Sequence, residues 1–156
     1  MFAVLFAAAL AVTPPQGDNT ARDVLVNVCL PFVGGDKDRA AAEFLGFVVA
    51  NEDGVTVDMA TSEEPPRFVL RLADDEGEDD GEVLRACTLQ ARTVSLDTVR
   101  GAIRRPLEQA GFVAEATQPA NRPVWTRQGV TVSLRQSEGR ATVLRVTYSS
   151  LEASGG

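Results

Sequence analysis

The sequence predicts an α+β domain in which about three helices pack on an antiparallel sheet of five to seven strands, with one disulfide. Three observations carry this. Two stretches, near residues 19–45 and 95–110, repeat apolar residues at three- to four-residue spacing, which is helical. Between and after them run short segments of alternating polarity, bounded by Gly, Pro, Asn and Asp, which are strands and turns. The chain also holds two cysteines, Cys29 and Cys87. With 156 residues, 44% hydrophobic and 24% charged, it has enough apolar material for one core and is too apolar for wholesale disorder.

The elements follow in order. Met1–Val12 is an uncharged apolar run that ends Ala9-Leu10-Ala11, ahead of Thr13-Pro14-Pro15. A bilayer span needs roughly 20 residues, so the run is too short to cross. Its small-x-small end reads as a signal peptide over residues 1–11, cleaved near Ala11, although the first residues carry no Lys or Arg. Residues 12–18 then form a linker, 19–150 the domain and 151–156 a flexible tail. No later segment is long enough to be transmembrane. The expected location is periplasmic or secreted.

The first helix starts near Asn19 or Thr20 and aligns Ala21, Val24, Leu25, Val28 and Cys29 on one face; Pro31 is expected to end it. A second runs through Ala40, Ala41, Phe44 and Leu45 to Gly46. Phe47–Val49 and Val55–Met59 read as short strands about the turn Asn51–Gly54. Arg67–Ala73 pairs with Val83–Ala91, which contains Cys87. Ser95 caps a third helix with the stripe Leu96, Val99, Ile103 and Leu107, interrupted by Pro106 and closed by Gly111. Val124–Arg127, Val130–Arg135 and Ala141–Tyr148 complete the sheet as a meander. Glu43–Val48 and Glu108–Val113 echo one another as helix end, Gly, Phe and extended chain. The echo is either a duplication or a common helix-to-strand joint, and the joint is the simpler reading.

In an oxidising compartment an even cysteine count points to a structural disulfide. The rivals are two buried thiols or a redox pair, for which C-x-x-C spacing is missing. Cα atoms farther apart than about 7 Å would exclude the bridge.

The net charge of −7 is unevenly spread. Residues 1–61 hold eight acids and three bases, 62–82 nine acids and two bases, and 83–156 five acids and ten bases. The negative total disfavours nucleic acid as a partner. The chain has no histidine, so imidazole-based nucleophile systems and metal sites are excluded. No phosphate loop or Ser elbow is present. Asp74–Glu82 packs seven carboxylates into nine residues. Glu76, Glu78 and Asp80 are its weak calcium candidates, but Cys87 stands where the position-12 ligand would be, so a solvated hairpin tip is the plainer reading and no metal or cofactor is expected. The basic counterpart offers Arg100 and Arg104 on the third helix and Arg135 and Arg145 on the closing strands; if Arg135 and Arg145 share a sheet face, they form a shallow anion site.

Asn27–Phe32 on a helix, the Gly46-Phe47 step, Ala86-Cys87-Thr88 in a strand and then Gly111-Phe112 resemble small secreted proteobacterial proteins with one Cys pair, a domain of unknown function. The resemblance implies export and the Cys pair and transfers no catalytic residue. The expected function is a non-catalytic periplasmic interaction or binding module that takes a protein or envelope component. The alternative is a small enzyme or anionic-ligand binder that uses the C-terminal arginines.

Overall fold

The computed structural model describes residues 16–76, 81–136 and 141–155. The expected signal segment and most of the linker therefore lie outside the described residues. Eight strands form one antiparallel sheet: β1 (Val48–Glu52), β2 (Thr56–Ala60), β3 (Phe68–Glu76), β4 (Val83–Ala91), β5 (Val113–Ala114), β6 (Val124–Arg127), β7 (Val130–Gln136) and β8 (Thr142–Ser149). Their order is β1-β2-β3-β4-β8-β7-β6-β5. The helical run α1 comprises an α-helix Gln16–Val24, a π-turn Leu25–Cys29 and an α-helix Leu30–Val33. It is followed by α2 (Ala40–Phe44), α3 (Leu96–Gln109) and α4 (Ser150–Ser154).

This corrects the expectation of three helices on five to seven strands. The fold is α+β but richer in sheet, with eight strands and four helical segments, of which only α1 and α3 are long. The unforeseen strand is β5. It has only two residues, paired with Trp125 and Thr126, in a segment whose prolines read as loop. The unforeseen helix, α4, is capped by the Ser149 hydroxyl, and Ser150 Oγ accepts the Val83 N–H at 2.9 Å. Pro31 does not end α1. The Leu30 N–H reaches back five residues to the Leu25 carbonyl, and this widened turn lets the helix absorb a proline that would otherwise clash one turn earlier. Pro106 likewise stays inside α3.

Burial alternates along the strands, and one face of the sheet carries the core. Met59, Leu70, Leu72, Leu89, Leu134 and Leu144 point to that face. Helix α1 covers it with Ala21, Val24, Leu25, Val28 and Phe32, and α3 with Leu96, Val99, Ile103 and Leu107. The helices also pack on each other. Cys29 and Cys87 are both fully buried and bonded, with Cα atoms 5.2 Å apart, which bridges α1 to the middle of β4. Two residues before Cys87, Arg85 Nη1 donates to the Val33 carbonyl at the end of α1 at 3.2 Å. Its guanidinium stands over the Tyr148 ring, and its Nε lies 3.4 Å from Asp74 Oδ1, an ion pair without hydrogen-bond geometry.

The echo noted in the sequence is a repeated joint. The N–H groups of Phe47 and Phe112 donate to the carbonyls of Ala42 and Leu107, and those of Gly46 and Gly111 to Glu43 and Glu108. Both glycines have positive φ, and both phenylalanines are buried.

Two predictions follow from local geometry. Gly46 and Gly129 both need left-handed φ, but a Cβ at Gly46 would meet nothing, whereas one at Gly129 would sit 2.7 Å from the Ala153 Cβ. Urea unfolding should show Gly46→Ala costing about 1–2 kcal/mol and Gly129→Ala distinctly more; equal costs would contradict the seating of α4. In the β1–β2 turn, Asp53 Oδ1 accepts the N–H groups of Val55 and Thr56 at 2.9 and 2.7 Å, which holds its pKa below the ordinary aspartate value. A depressed folded pKa means that its stabilisation is present above the unfolded pKa and lost as pH falls through the folded one. An NMR titration should place Asp53 below an ordinary aspartate; a midpoint at or above that value contradicts the turn.

Candidate functional site

An antiparallel sheet with helices on one side leaves its other face to solvent. Here that face is built from the residues that alternate with the core positions. Register places Asp58 opposite Arg71, Arg71 opposite Thr88, Thr88 opposite Arg145, and Arg145 opposite Ser133. These five side chains form one row across β2, β3, β4, β8 and β7. In the row on the acidic-loop side, Ala73 faces Ala86 and Ala86 faces Thr147. In the row on the other side, Val143 lies between Gln90 and Arg135.

Small side chains at Ala73 and Ala86 between longer neighbours leave a shallow trough of about 570 Å³. It is lined by Asp58, Val69, Arg71, Ala73, Ala86, Thr88, Gln90 and Arg145. Arg71 and Asp58 form a two-pronged pair at one end, with Nε–Oδ1 at 2.7 Å and Nη2–Oδ2 at 3.1 Å. The carboxylate raises the Arg71 pKa, chiefly through the hydrogen bond. Arg145 is exposed, and neither it nor Arg135 makes a hydrogen bond or ion pair to a described residue.

Arg135 and Arg145 thus do share a sheet face. Arg100 and Arg104 do not join them, because α3 lies in the helical layer on the far side of the sheet. Arg100 donates to the Ala120 carbonyl and lies 3.7 Å from Asp97, and Arg104 lies 4.0 Å from Glu108. Of the calcium candidates, Glu76 is 3.6 Å from Lys37, while Glu78 and Asp80 lie outside the described residues. Among the described residues no three His, Cys, Asp or Glu side chains are grouped to hold a metal. No helix among them is long and apolar enough to cross a membrane.

Sequence reasoning passed over Asp58, Arg71, Thr88, Gln90 and Ser133. Asp58 looks isolated in the chain because its partner, Arg71, is thirteen positions away on the next strand. The available signal was alternation: each of these residues is polar at an outward strand position. Their alignment in rows depends on cross-strand register, which alternation alone does not supply. Compared with protein-family models, curated proteins and solved structures, the chain matches none.

Proposed function

We propose that this protein is a non-catalytic binding module working outside the cytoplasm, and that the uncovered sheet face is its binding surface. The observation that carries the reading is the one-sided cover: both long helices lie on one face, and the other holds a trough lined at its β8 end by Arg145, which is bonded to no described residue. A concave surface with few convergent polar groups is a common form of ligand site. Catalysis gains no support from the lining, since the histidine-free chain presents one carboxylate there and Arg71 occupies it. The apolar run at residues 1–12 supports export, and the buried disulfide fits an oxidising compartment.

The test is affinity capture from envelope extract with the mature protein and two variants. Ala86→Trp fills the trough, and Arg104→Ala alters the helical layer. The expected result is a specific ligand or partner retained by the wild type and Arg104→Ala and lost by Ala86→Trp. Retention by Ala86→Trp would refute the open face as the binding surface.

A further inference from the structure

We infer that the trough takes a small organic oxyanion, with its carboxylate or phosphate head on Arg145 between Thr88 and Ser133 and its hydrocarbon body over Ala86 and Ala73. The inference rests on the open-face reading and adds the chemistry of the ligand. Arg71, two strands from Arg145 in the same row and about 10 Å away, is already matched by Asp58. Arg145 is not. The hydroxyls of Thr88 and Ser133 stand on either side of it, and they too make no hydrogen bond to a described residue. Gln90 and Arg135 add a carboxamide and a second guanidinium, bonded to no described residue, one row away.

A guanidinium only donates, and hydroxyl and carboxamide groups can turn their donors inward, so the cluster is complementary to a group that only accepts. Carboxylate and phosphate are such groups, and arginine holds either with two parallel bonds. Three strands away along the row on one side, Asp58 is bound to Arg71. Three strands away on the other side stands Glu115, whose N–H donates to the Val124 carbonyl, and Asp75 lies two rows toward the acidic loop, opposite Leu84. Beside the polar row, on the acidic-loop side, the floor is apolar at Ala73 and Ala86, which suits hydrocarbon and not a second charge.

Octanoate and octyl phosphate are the probes, with octan-1-ol as the neutral control, read by chemical shifts of backbone amides and Arg side chains. Both anions should give saturable shifts at Thr88, Gln90, Ser133 and Arg145, and octan-1-ol should not. Arg145→Gln should weaken binding at least tenfold and Arg104→Gln should leave it unchanged. Arg145 is exposed and bonded to no described residue, so its variant should keep the wild-type spectrum elsewhere. Binding of one anion only would fix the head group as carboxylate or phosphate and uphold the inference. No saturable shifts, equal binding of octan-1-ol, or full affinity in Arg145→Gln would overturn it. Should the anions fail while Ala86→Trp still abolishes capture, the ligand class falls and the open-face reading stands; if capture is also indifferent to Ala86→Trp, both fall.

Discussion

The covalent and hydrogen-bonded tether between α1 and β4 is the constraint on which the arrangement depends. Strand β4 lies between β3 and β8, at the seam where the first four strands meet the last four. Cys87 at its middle bonds Cys29, and Arg85 two positions earlier holds the carbonyl of Val33 at the end of the same helix. Both side chains leave β4 on its core face, because residues two apart in a strand point the same way. The first long helix is thereby fixed to that side. Since α3 packs on both α1 and the core, the helical layer stays there too. The opposite face is left bare as a consequence.

The strand order has an internal symmetry. Exchanging β1–β4 with β5–β8 leaves β1-β2-β3-β4-β8-β7-β6-β5 unchanged, as a two-fold axis between β4 and β8 would. The matching Gly-Phe joints at 46–47 and 111–112 stand at equivalent points, each between a helix and the outermost strand of its half. In each half the joint links a helix to the first strand of a four-stranded meander. The halves differ in how they treat their helices. The first breaks its helical segment at Gly34–Arg39 into α1 and α2, and the second keeps one helix through Pro106.

Much of this was legible from local pattern, for physical reasons. Val83–Ala91 and Val124–Arg127 appear with the expected bounds because alternation and turn residues act within a few positions. Ser95 caps α3 as expected, its hydroxyl accepting the Thr98 N–H. What escaped depends on distant chain. Two residues at Val113–Ala114 become a strand only because β6 lies beside them. Helix α1 passes Pro31 because a π-turn makes room, and one proline in a sequence reads as a stop. At the site, Arg135 and Arg145 were recognisable as charges on neighbouring strands, but Thr88, Ser133 and the Asp58–Arg71 pair became neighbours only through register.

The charge pattern also takes on spatial meaning. The basic C-terminal half supplies Arg135 and Arg145 to the bare face, while Asp74 and Glu76 from the acidic segment are answered on the core side by Lys37, and Asp74 also by Arg85. The tether between α1 and β4 holds the helical layer on one face. Equilibrium urea unfolding of the Cys29→Ala/Cys87→Ala double variant, beside the wild type, measures what it contributes. Closing the loop across a sequence separation of 58 is worth about 4 kcal/mol in the chain-entropy view, so the variant should lose a stabilisation of that order. A midpoint and slope equal to the wild type would mean that the bridge does not hold the helical layer in place.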